Sequence, residues 1–210
     1  FGCGAGLTGI NAGFDPDADE NLIAGTDAGG NLDGTLGCHN IFLGSCAGKC
    51  VTSGRYNIFF GQCAGRGASP ELTGASNVAI GRFSGQSISS GAENVLIGKR
   101  TGYVMKTGNQ NIYLGLEAGK CRESGNHNIA LGYHSLFGSS TTADNNSASN
   151  IALGMSAGCL VSGGQLNVII GCGAMSNQIV TGSDNIALGT YAAKCITNGN
   201  SNVALGKCAL

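Results

Sequence analysis

Ten cysteines, three histidines and one acidic run, Asp15-Pro16-Asp17-Ala18-Asp19-Glu20, are the groups whose chemistry could define a site in this chain. Structural zinc takes Cys and His at short fixed spacings; no C-x-x-C pair is present, so a structural metal is not expected. His39, His127 and His134 have no matching Ser/Asp or Cys partner and read as solvated loop residues, not general bases. Asp15, Asp17 and Asp19 have the D-x-D-x-D look of a calcium loop. That loop needs Gly at its sixth position and a bidentate Glu at its twelfth, where this chain has Thr26, so an acidic exposed insert is the expectation. No catalytic residue, no metal and no cofactor follow from these groups, and the chain reads as a non-enzyme.

What must position every one of these groups is a repeat. The pattern Asn-apolar-x-apolar-Gly places Asn at 21, 40, 57, 77, 94, 111, 128, 150, 167, 185 and 202, with a base period of 17 residues and insertions only. Counting that Asn as phase 0, phase 1 is Ile or Val in all copies but Leu22, and phase 3 is Leu, Ile or Phe in all but Ala24. Phase 4 is always Gly, phase 7 is small, and phase 8 is usually Gly. A unit with this much glycine and a β-branched core position cannot hold two helices. Stacked short strands can be built from it. The expectation is an all-β parallel solenoid with one coil per repeat, phase-equivalent residues lying roughly 4.8 Å apart along the axis.

Each phase then acquires a role. Asn40, Asn57, Asn77, Asn94, Asn111, Asn128, Asn150, Asn167, Asn185 and Asn202 are expected to form a ladder, their amides bonding along the axis and to turn backbone. Phases 1 and 3 are expected to fill the coil's interior. Phase 2 should then face away from it. Its occupants, Ile23, Phe42, Phe59, Ala79, Leu96, Tyr113, Ala130, Ala152, Ile169, Ala187 and Ala204, include no charge. An exposed apolar stripe of that length is unusual on a soluble monomer, so this row is expected to be an oligomer interface. Cys46 and Cys63 share phase 6 on successive coils, within reach of a disulfide, with buried thiols as apolar filler the alternative.

The whole chain, 1–210, reads as a single array of about eleven or twelve coils with inserts at 7–20, 30–39, 66–76 and 137–149. No cap is evident at Phe1 or Leu210, so a segment of a longer fibre is expected. Glycine is 38 of 210 residues, but proline is only 2, which excludes collagen. Net charge is −1 with Lys and Arg scattered singly, which argues against nucleic acid as a partner. Apolar runs of three or four residues give no membrane insertion.

The unit N-[IV]-A-[LI]-G-x-x-A-G-x(4)-[ST]-G-x-x resembles the N-T-A-x-G-x-x-A-L-x-x-N-T-T-G-x-x repeats of phage and giant-virus tail-fibre proteins and of trimeric-autotransporter-like adhesins. The resemblance runs from Asn21 onward and departs at phase 1, where Ile or Val replaces Thr, and at phase 8, where Gly mostly replaces Leu. It implies a parallel homotrimeric shaft, extracellular or on a virion surface, that spaces or presents an adhesive tip. A receptor or glycan would be engaged by parts outside this segment. A bacterial adhesin head or extracellular filament subunit is the alternative. Leu43-Gly44-Ser45-Cys46-Ala47-Gly48 also fits the six-residue motif of left-handed β-helix acyltransferases, but that family carries three such units per coil and here there is one. An ice-binding solenoid would need a regular outward Thr ladder, which is lacking.

Overall fold

The computed structural model describes residues 17–33, 36–67, 71–139 and 146–210. Eleven strands of three residues follow one another: β1 (Leu22–Ala24), β2 (Ile41–Leu43), β3 (Ile58–Phe60), β4 (Val78–Ile80), β5 (Val95–Ile97), β6 (Ile112–Leu114), β7 (Ile129–Leu131), β8 (Ile151–Leu153), β9 (Val168–Ile170), β10 (Ile186–Leu188) and β11 (Val203–Leu205). They pair in chain order into one parallel sheet. Register follows phase without a slip, Phe59 opposite Ala79 and Tyr113 opposite Ala130, across coils of different length. The all-β parallel solenoid expected from the repeat is the fold.

Each strand is short because its ends are set by the two residues that define the repeat. After phase 3 the phase-4 glycines take φ between 112° and 136°. A Cβ on Gly98 would lie 2.5 Å from the carbonyl oxygen of Gly115, so neither the backbone angle nor the spacing of coils admits a side chain. A tight turn follows, closed in coil two by Ala47 N donating to Gly44 O at 3.1 Å. Pairing continues around the rest of the path, for example from Gly48 N to Ala64 O and from Cys50 N to Arg66 O.

The strand's facing reverses the expectation. Phe42, Phe59, Ala79, Leu96, Tyr113, Ala130, Ala152, Ile169 and Ala187 are 0% exposed within the single chain, and Ala204 is 2% exposed. The phase-2 row is therefore the coil's own core, not an interface with another chain. Ile23 packs against that core as a partly buried member. Phases 1 and 3 face outward, as Phe60 at 55% and Ile112 at 42% exposed illustrate. The reason is volume. A coil of this length closes on a narrow interior, which holds one side chain from the strand, the small phase-7 residue and one aliphatic residue from the return path. Val51, Leu72, Ile88, Met105, Val161 and Val180 supply that third row. Two rows of Ile and Leu would not fit.

Phase 2 and phase 8 divide that interior between them. Where phase 2 is aromatic, phase 8 is glycine, and a Cβ on Gly65 would sit 2.4 Å from the Phe59 ring and one on Gly119 2.3 Å from that of Tyr113; the coil of β9 departs from this, with Ile169 and Met175 both fully buried. Where phase 2 is Ala130, phase 8 is Leu136, fully buried at φ 44°. This predicts a compensating pair in coil five. Leu96→Ala alone should cost about 2–5 kcal/mol and Gly102→Leu alone a further 1–3 kcal/mol by overpacking. The double variant recreates the Ala130–Leu136 arrangement and should recover at least half of the summed loss in a urea-unfolding double-mutant cycle. Strict additivity would show that the two positions do not share one space.

Candidate functional site

The feature that could act on another molecule is the outer face of the sheet. Two outward positions in each of eleven strands carry Leu, Ile, Val, Phe or, once, Ala24, and none carries a polar group. Leu114, Leu131, Ile170, Ile186 and Leu205 are 37–62% exposed. The row is roughly 50 Å long and 10 Å wide at the spacings of a parallel sheet, before the side chains standing out from it are counted. Phase-5 residues along its border are mixed: Gln62, Arg82, Lys99 and Lys207 are polar, while Leu116, Tyr133 and Met155 are exposed and widen the apolar face locally.

The expected asparagine ladder is present and ties each coil to the next. From Asn40 to Asn185 each ladder amide makes the same two contacts. Asn94 Nδ2 donates to Asn77 Oδ1 at 2.9 Å and to Gly108 O at 2.8 Å, while its backbone N donates to the same Asn77 oxygen at 3.1 Å. One bond runs along the axis and one crosses the coil to the residue three before the next Asn. The Asn side chains from 21 to 185 are buried. The residue just before each Asn is held at φ 56–61°, although none of these is glycine: His39, Tyr56, Glu93 and Gln110 are examples. Left-handed backbone at an ordinary residue costs on the order of 1 kcal/mol, and the ladder bonds at the following residue hold it there. Sequence reasoning did not foresee this position, since the residues filling it share no type. A second, shorter ladder also went unread: Ala92 N donates to Asn109 Oδ1 at 2.9 Å, and Asn109 N to Asn126 Oδ1 at 2.8 Å.

Of the acidic run, Asp15 lies outside the described residues. Asp17 does not hold its oxygens open for a cation. Its Oδ1 accepts from Asn21 N at 2.8 Å and from Asp19 N at 3.0 Å, and both oxygens take Asn21 Nδ2 at 3.2 Å. The carboxylate stands where a preceding Asn would stand and serves the first rung of the ladder. Among the described residues no group of three His, Cys, Asp or Glu is arranged to hold a metal ion.

Cys46 and Cys63 lie on adjacent coils as the period requires, with Cys63 N donating to Ser45 O at 2.8 Å, and both are free thiols. Burial and the neighbouring Cys46 push the Cys63 thiol up, and burial pushes Cys159 up, so neither is an activated nucleophile. His39 pairs with Glu20 at 2.9 Å, and His134 Nε2 meets Glu117 Oε2 at 2.9 Å. Among the described residues nothing places a nucleophile beside these imidazoles.

Among the described residues Glu117 gathers the most ion-pair partners. Arg100 Nη1 lies 3.3 Å from it and Lys120 Nζ 3.1 Å, besides His134. Partial burial pushes its carboxyl up, and hydrogen bonds from Lys120, His134 and Arg100 outweigh that, leaving it below the usual 4.5. A depressed carboxyl contributes stability that is complete above the unfolded-state value and is lost as pH falls through the folded one. Wild type should therefore lose urea midpoint steadily as pH drops below 4.5. Glu117→Gln should flatten that segment of the profile, and an unchanged slope would show that the carboxyl is not coupled to folding.

No helix among the described residues is long and apolar enough to cross a membrane. No protein-family model, no curated protein and no solved structure matches the chain. The geometry itself defines the class: a parallel β-solenoid repeat protein, a fold compatible with a structural role.

Proposed function

We propose that the chain is a non-enzymatic structural shaft that associates with parallel copies of itself through the outer face of its sheet. The observation that supports this is the continuous apolar face, two outward side chains on every one of eleven strands, running the length of the array. Monomers in water usually expose apolar patches of about 300–600 Å² at most, often functional ones. A face that repeats with every coil of a hydrogen-bonded scaffold is matched along its length by a surface of the same axial repeat. A parallel copy has that repeat by construction.

A homotrimer around a common axis is the arrangement implied by the resemblance to fibre and adhesin repeats, and it puts all three sheets at the centre. The shaft would lie outside a cell or on a virion, spacing an adhesive tip whose receptor or glycan is engaged by other parts of the assembly. Sedimentation equilibrium at micromolar concentration tests the reading. The expected mass is three times that of the 20.9 kDa chain, and a clean monomer overturns it.

A further inference from the structure

Arg122 is 0% exposed, the largest fully buried side chain of the described residues, at a position where neighbouring coils carry Met105, Ile88 and Val161. Its guanidinium starts in the coil of β6, crosses the coil of β7, and reaches the coil of β8. Nη1 donates to Val161 O at 2.9 Å and Nη2 to Ser147 O at 3.0 Å. Both acceptors are neutral carbonyls. Among the described residues no carboxylate pairs with it, and Nε has no hydrogen-bond partner.

Ser147 is the second departure from the repeat, and it meets the first. From Asn40 onward the residue three before each ladder Asn is glycine, among them Gly54, Gly91, Gly108 and Gly164, except here, where it is serine. Its carbonyl accepts from both Asn128 Nδ2, at 3.0 Å, and Arg122, while its hydroxyl is buried with no partner. The Tyr113 hydroxyl, which donates to Asn111 Oδ1 at 3.3 Å, borders the same guanidinium. Two irregular residues thus converge inside one coil, and each leaves a donor unused.

We propose that Arg122 and Ser147 hold a small monovalent anion, of halide size, inside the solenoid. A buried guanidinium remains charged at neutral pH, and among the described residues this one meets only neutral dipoles, a costly setting for a charge. A water would add one more dipole. A halide supplies the missing charge and accepts from Nε–H and from the Ser147 hydroxyl together.

The test is thermal unfolding at constant ionic strength in bromide, chloride or gluconate. Wild type is expected to melt roughly 5 °C higher in halide than in gluconate, the size of shift that saturable binding to the folded state gives in a chain of this length. Arg122→Met, which copies the Met105 position, should fold and lose that difference, and Ser147→Ala should reduce it. Crystals grown in bromide should show an anomalous peak beside Arg122 Nε. A water alone at that point, or equal melting of wild type in all three salts, overturns the proposal. So does an Asp144→Asn variant that loses as much stability as Arg122→Met, because the counter-charge would then come from the chain.

Discussion

Ile112→Lys combined with Leu114→Lys should convert the proposed trimer to a 20.9 kDa monomer without loss of strand signal in circular dichroism. Both side chains are outward and 40–42% exposed in the single chain, so Lys at either position remains solvated in a monomer. In an assembly packed on this face the same ammonium groups are buried without partners. An uncompensated buried charge costs about 3–5 kcal/mol. Two per chain should weaken association by roughly 10⁴-fold or more. Lys at phase 5, where Lys99 and Lys207 already stand, should leave the mass unchanged, as Gln62→Lys would show. Retention of the wild-type mass by the Ile112/Leu114 variant would place the interface elsewhere. A variant that is both monomeric and unfolded would mean that the coil depends on its partners, which native hydrogen exchange on the wild type distinguishes from simple dissociation.

The second large effect concerns the ladder. Asn111→Ala removes a carboxamide whose oxygen accepts from Asn128 N at 3.0 Å, Asn128 Nδ2 at 3.1 Å and the Tyr113 hydroxyl at 3.3 Å. Its nitrogen donates to Asn94 Oδ1 at 3.0 Å and Gly125 O at 2.9 Å. The truncation leaves Asn128 N without this acceptor inside a dry coil, where an orphaned polar group costs about 1–3 kcal/mol. The expected loss is roughly 3–5 kcal/mol by urea unfolding, with exchange at the Asn128 amide accelerated most. Asn202→Ala, at the final rung of this 210-residue segment, removes a side chain that donates to Asn185 Oδ1 at 2.9 Å and is only part-buried there. It should cost about 1 kcal/mol. Equal losses at the two rungs would contradict the view that the interior ladder bears most of the load. A solenoid couples each coil chiefly to its neighbours, so damage at rung 111 should also lower cooperativity.

These two experiments bear on different kinds of information in the chain. The ladder could be read in advance because it depends only on period. A polar residue recurring every 17 positions beside an apolar triplet must meet its own copy in the next coil, whichever way the triplet faces. The parallel sheet, its in-phase register and the phase-4 glycine corner follow from the same periodicity. Neither the left-handed residue before each Asn nor the Arg122–Ser147 pair was legible. The first carries no residue signature, and the second exists only because a side chain from one coil crosses the next.

Periodicity also showed that residues 1 and 3 of each strand share one face and residue 2 the other, since side chains alternate along any strand. Which face is the inside is a question of volume, and no local pattern contains it. The answer came from the closure of the coil. Gly119 beneath Tyr113, Leu136 beneath Ala130 and Met105 from the return path together fill the space that one row of strand side chains enters. The apolar character of all three strand residues was therefore present in the order of the amino acids from the start. Its division into a private core and an outward face arose only when the chain wound back on itself and left room for a single row.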